Sequence, residues 1–165
     1  MPKITFEYSL KPALNALAYL QQHIPRLTRL EAFKLLYLAD KRHLELYGRP
    51  IVGGTYAALK NGPVPRRLYD YVKETSGPSG HSLPKFPEPD LRKFSDSEHK
   101  ILDEIIQKYG RYSAGKLIDV SHDSAWSAAW KSAQAHGKGS EPIPWEQIIQ
   151  SLDNGKDIFE ALFED

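Results

Sequence analysis

The chain has 165 residues, a net charge of +1 and no cysteine. A chain of this length buries a core without cross-links, and the missing thiols exclude disulfides, thiolate metal sites and cysteine nucleophiles. No apolar run approaches the ~20 residues that span a bilayer, and residues 1–9 lack the basic and apolar regions of a signal peptide, so a cytoplasmic protein with no membrane partner is expected.

In chain order, Ile4, Phe6 and Tyr8 alternate with Thr5 and Glu7, the pattern of a short edge strand or of an extended lead-in. Ser9 is placed to cap a first helix, with Pro12 tolerated in its first turn. Leu10, Ala13, Leu14, Leu17, Leu20 and Ile24 keep helical spacing, and Pro25 ends the element. So short a link to the next helix predicts that the two pack antiparallel or steeply crossed.

That next helix organises the chain. Thr28 with Glu31 three residues on is a capping box, Gly48 supplies a left-handed stop, and Pro50 follows. Between them Leu30, Phe33, Tyr37, Leu44 and Tyr47 recur at helical spacing, while Leu35, Leu36, Leu38 and Ala39 make the other faces apolar too. A surface helix carries one apolar stripe; a middle apolar nearly all round must be covered from several sides. The spacing predicts a central helix of roughly five turns.

Beyond it, Gly53-Gly54 is followed by no Gly-Lys-Ser/Thr, which excludes a phosphate loop. Asn61-Gly62 is a hairpin turn signal, and Pro63 and Pro65 keep the strand after it from being central. An extended segment at 55–60, a tight turn and a helix from about Pro65 to Thr75 are expected. Residues 76–93 hold four prolines and two glycines, with 77–89 read as an exposed, partly disordered loop and Leu91 to Phe94 as a short strand. Ser95 with Glu98 then caps a helix bearing Ile101, Leu102, Ile105, Ile106 and Tyr109. Ser113 starts a shorter helix, and Asp123 or Ser124 caps one carrying Trp126, Ala129, Trp130 and Ala133. Residues 136–142 read as a linker, Pro144 opens a helix stopped by Asn154-Gly155, and 158–163 form a last turn or two. The fold class is mainly α, a compact helical domain around a buried central helix, with a small β hairpin or short strands near the middle.

Charge is uneven. Residues 34–73 carry eight Lys/Arg against Asp40, Glu45 and Asp70, whereas residues 95–165 carry seven against thirteen Asp/Glu. The basic part is either a face for a nucleic acid or acidic partner, or the complement of the acidic part within one fold. The histidines are the main candidates for metal or acid–base chemistry. His43, His122, Asp123 and Asp157 sketch a two-metal phosphohydrolase, although the flanks of His122-Asp123 read as a helix end with a cap. Ser121-His122-Asp123 is no triad, because triad members meet through the fold rather than in sequence, and no Gly-x-Ser-x-Gly elbow is present. Lys41-Arg42 and Arg66-Arg67, interleaved with Tyr69 and Tyr71, suit phosphates, but no nucleic-acid-binding signature accompanies them. Trp126, Trp130 and Trp145 are read as core or as partner anchors.

The run Lys34-Leu-Leu-Tyr-Leu-Ala-Asp40, then His43, Tyr47-Gly-Arg-Pro-Ile51, Gly54-Thr-Tyr-Ala-Ala-Leu-Lys60 and Asn61-Gly-Pro-Val-Pro65, resembles the Panacea, or SocA-like, antitoxin domain. The likeness continues at Tyr69 and Asp70 and, more loosely, at Tyr109-Gly110, Ser113-Ala114, Leu117, Ser121-His122 and Trp126. It implies a single domain over residues 1–165, with its core at about 10–135 and a helical C-terminal extension at about 144–163. It further implies a non-catalytic, cofactor-free antitoxin made beside a toxin and neutralising it by direct binding. At least one branch of the family acts as a protease adaptor, which adds a cellular protease as a potential partner. Leu36, Tyr37, Asp40, Gly62 and Pro63 lie in the resembling motifs. The charge excess points to Lys41, Arg42, Lys60, Arg66, Arg67 and Tyr69 as the partner-binding region. The alternative is a metal-dependent phosphohydrolase or nucleic-acid-binding protein using the His/Asp set or the basic face.

Overall fold

The structure, a computed structural model, describes residues 3–76 and 80–163. Among the described residues the chain forms eight α-helices and one three-stranded sheet. They run in the order α1 (Leu10–His23), α2 (Arg29–Tyr47), β1 (Tyr56–Leu59), β2 (Gly62–Pro65), α3 (Arg66–Ser76), α4 (Asp96–Tyr109), α5 (Ala114–Ser121), α6 (Ser124–Ala135), β3 (Glu141–Ile143), α7 (Trp145–Gln150) and α8 (Gly155–Phe163).

The capping signals act as the sequence predicts. Thr28 accepts from the Glu31 amide while the Glu31 side chain accepts from the Thr28 amide, and Gly48 closes α2 at φ 78°. Ser95 and Glu98 do the same for α4, and Asp123 accepts from the Trp126 amide to start α6. Ser9 stands at the head of α1 but makes no side-chain cap.

Helix α2 packs against α1, α4, α5, α7 and β2, and it divides two hydrophobic cores. Phe33, Leu35, Leu36 and Ala39 face the first, with residues of α1, α3, α4 and α5. Tyr37 and Leu44 face the second, with Tyr56, Trp126, Trp145, Ile148 and Ile149. Strand β1 divides likewise: Ala57 joins the first core, while Tyr56 and Ala58 on the opposite face join the second. Trp126 and Trp145 are therefore core residues. Each still needs an acceptor for its indole N–H, and finds one in Leu59 O at 2.8 Å and Gly54 O at 2.7 Å respectively.

The sheet order is β2-β1-β3, antiparallel throughout. Pro63 and Pro65 lie on one edge strand and Pro142 on the other, as a residue without an N–H requires. The turn itself is Lys60-Asn61, one residue earlier than the Asn61-Gly62 signal, because Gly62 already pairs with Leu59.

Of the two alternatives for the N-terminal stretch, residues 3–8 take the extended lead-in; Ile4 N–H donates to Glu146, and Phe6 meets Trp145 edge to face. Three further expectations are corrected. Residues 91–93 form a 3-10 turn capped by Asp90, not a strand. The linker at 136–142 contains the start of β3, whose Ile143 pairs with Tyr56. Helix α7 ends at Gln150, and α8 begins at Gly155.

The proline-rich stretch also differs from a disordered loop. Residues 77–79 lie outside the described residues, but from Gly80 on the chain is a strap fastened across α1 and the head of α2. Gln21 bonds both Pro84 O and the Phe86 amide, and Asn15 bonds both backbone groups of Asp90. Arg29 reaches Ser82 O and Ser76.

Candidate functional site

Four polar residues of α2 are buried, Arg29, Lys34, Asp40 and His43, and two of the charged ones sit deepest. Lys34 is 1% exposed and Asp40 is fully buried. Burying a charge is costly unless it is hydrogen-bonded, so each must have a structural or functional role.

Asp40 collects the chain that leaves α2. Its Oδ1 accepts from the Ile51 and Val52 amides at 2.8 Å, and its Oδ2 from the Gly53 amide at 3.2 Å and the Tyr56 hydroxyl at 2.8 Å. Burial pushes the carboxyl up to about 6, against the pull of those four donors. Lys34 holds the hairpin. Its Nζ donates to Pro63 O at 2.9 Å, and burial holds the amine down to about 7. Gly62 crosses directly over this side chain at φ 116°. A Cβ there would lie 2.9 Å from Lys34 Cε and 2.8 Å from Ser121 Oγ, so only glycine passes. Tyr37, also buried, donates to Asp123 Oδ2 at 2.6 Å, and Lys41 meets the same oxygen at 2.7 Å, which ties α2 to the head of α6. Leu36 is fully buried in the first core.

The six basic and aromatic residues fall into two groups. Lys41 and Arg42 line a groove of about 430 Å³ between α2, α4 and the α7–α8 turn. Lys41 is engaged by Asp123, and Arg42 by Glu104 and Glu45. Lys60 and Tyr69 line a different hollow, beside the hairpin tip and α3. Arg66 and Arg67 are exposed in the first turn of α3, with Arg66 near Asp70 and Arg67 over the Tyr8 ring at 4.8 Å.

The sketched phosphohydrolase set is not brought together. His43 uses both ring nitrogens, on Arg49 O at 2.6 Å and Ser97 Oγ at 2.9 Å, and burial lowers its pKa. The His122 ring stacks on Trp126 at 3.7 Å, Asp123 is occupied by the α6 cap, Tyr37 and Lys41, and Asp157 is exposed on α8. Among the described residues no three His, Asp or Glu side chains converge on a common point where a metal ion fits.

Sequence reasoning passed over Lys34, Arg29 and Lys73, which line the hollow with Lys60 and Tyr69. For Lys34 a signal existed: position 34 falls on the stripe of Leu30, Phe33 and Tyr37, where a charge is out of place.

A model of the antitoxin SocA-like, Panacea domain family matches residues 33–127, which is 95 of the 165 residues. The chain belongs to this family. The matched stretch of the Panacea domain begins inside α2 and closes in α6, so it contains Lys34, Asp40, the hairpin, α3 and Asp123. It leaves out α1 and everything after α6, and is shorter than the likeness read from the sequence. No curated protein and no solved structure matches the chain.

Proposed function

We propose that this Panacea domain is the antitoxin of a toxin–antitoxin pair, neutralising its toxin by direct protein–protein binding and without catalysis of its own. The family match over residues 33–127 carries the reading. The side chains of the motif region support it, because they are used up in architecture. Asp40, Lys34, Tyr37 and Asp123 each hold a piece of architecture, the loop after α2, the hairpin or the head of α6.

On this reading the toxin meets the outer face formed by the hairpin tip and α3, through Lys60, Arg66, Arg67 and Tyr69. Lys41 and Arg42 contribute less, because their charges are already neutralised by Asp123, Glu104 and Glu45. Arg66 meets only Asp70, in an exposed pair, and Arg67 meets no carboxylate among the described residues. A stable occluding complex buries ~1,200 Å² or more in total over both partners, so the face extends beyond these four side chains.

The test is genetic. The product of the neighbouring reading frame, expressed alone, is expected to arrest growth, and co-expression of this chain to restore it. Restored growth with undiminished toxin marks occlusion; restored growth with loss of the toxin marks delivery to a protease. A neighbour that is harmless, or toxicity untouched by co-expression, would contradict the proposal.

A further inference from the structure

The hollow beside the hairpin tip measures about 260 Å³, and Arg29, Lys34, Lys60 and Lys73 all line it. Among the described residues no carboxylate does. The four cations differ in their engagement. Arg29 is committed to Ser76 and Ser82, and Lys73 lies 5.0 Å over the Tyr69 ring. Lys34 donates to Pro63 O, and Lys60 is exposed on the turn. Among the described residues none of the three lysines has a carboxylate partner. This contrasts with Lys41 and Arg42 on the same helix, both neutralised from within. Phe33 and Tyr69 add apolar surface to the lining. Two lysine ammonium groups and the amine of Lys34 around one partly apolar concavity, with no internal counter-ion among the described residues, attract an external anion.

We propose that this hollow receives a carboxylate side chain from an acidic, partly apolar segment of the toxin; the toxin as source rests on the antitoxin reading above. Size favours a side chain. Small-molecule sites run from about 300 Å³ upward, and this one falls just short. The apolar surface contributed by Phe33, Leu59 and Tyr69 favours a peptide over a nucleic-acid backbone, which is gripped along a charged track. Strand addition is disfavoured, since both edge strands of the sheet carry prolines. The segment therefore docks by inserting side chains, with Lys60 steering it and Lys34 at the inner wall.

The test is a titration of the full-length protein, followed through the backbone amide signals of Lys34, Leu59, Gly62 and Tyr69. The probes are an acetylated peptide alternating glutamate and leucine, and its glutamine–leucine counterpart. The glutamate peptide is expected to shift these signals and to bind at least about tenfold more tightly, the worth of one charge-assisted contact. K60E/K73E, one change on the exposed turn and one at the half-buried Lys73, is expected to remove that preference while the protein keeps its cooperative melting transition. K34M, which keeps the stem and loses the ammonium, should weaken the glutamate peptide only. Equal binding of the two peptides, no binding, or shifts confined to other residues would overturn the proposal. So would inorganic phosphate or a single-stranded RNA octamer that produces the same shifts more tightly than the peptide. No toxin enters this titration, so a flat result counts against the hollow, whereas failed growth rescue counts against the antitoxin reading and against the toxin as source.

Discussion

Asp40 and Lys34 lie on one helix, less than two turns apart, and both are buried by the chain they organise. An asparagine at 40 keeps the shape of the aspartate but replaces one acceptor oxygen by a donor. Placed where Oδ2 accepts, the amide would face the Gly53 N–H and the Tyr56 hydroxyl with nothing to accept from the former. D40N is therefore expected to lose about 2–4 kcal/mol in urea unfolding, the cost of orphaned buried donors. A loss under about 0.5 kcal/mol, no more than an ordinary surface change, would contradict that role for the carboxylate. Lys34 makes a statement about pH. Its amine titrates near 7 in the folded chain and near 10.5 in the unfolded one. Between those values the unfolded chain holds the extra proton, so stability rises with pH across this window and is level below it, by up to ~1.4 kcal/mol per unit. The stability of the natural protein measured relative to K34M should therefore rise by more than about 1 kcal/mol from pH 7 to pH 9. A difference that stays constant would show that Lys34 keeps its proton.

The elements that could be read from sequence are those whose signals are local. The ends of α2 and α4 are written in Thr28, Glu31, Ser95 and Glu98, because a capping box closes within four residues. Thr28→Ala should accordingly cost about 1 kcal/mol in thermal unfolding. Strand β3 was hidden for the opposite reason. Glu141-Pro142-Ile143 has no strand pattern of its own and becomes extended only by pairing with β1, far back in the chain. The strap from Gly80 to Asp90 was hidden in the same way, since Asn15, Gln21 and Arg29, which fasten it, belong to other elements. The hairpin lies between these cases. Its turn was legible in Asn61-Gly62, but its one-residue register and its dependence on Lys34 were not. Gly62→Ala would force a Cβ against Lys34 and Ser121 at a backbone angle that L-residues avoid, with an expected loss of about 2 kcal/mol or more. Circular dichroism in urea would show it, and wild-type stability in that variant would mean that the hairpin does not rest on Lys34.

At the scale of the whole molecule, α2 is a partition between two cores; its apolar circumference made its burial legible in sequence, but not the division into two. The candidate interface was only half legible. Adjacency placed Lys41-Arg42 with Arg66-Arg67 in one basic group, but Glu104 and Asp123, which neutralise the first pair, come from α4 and the head of α6 and could not be aligned with it beforehand. The hollow under the hairpin was obscured because Lys34 reads as one more charge in a basic stretch. The central claim is that the interior is scaffold and that recognition belongs to the hairpin–α3 face. The most direct measurement is a calorimetric titration of the purified product of the neighbouring reading frame into the natural protein, R66E/R67E, and K100E on the exposed side of α4. The expected result is tight binding that K100E leaves within about twofold and R66E/R67E weakens at least about tenfold, with all three proteins melting alike. Binding unaffected by R66E/R67E but weakened by K100E would contradict it.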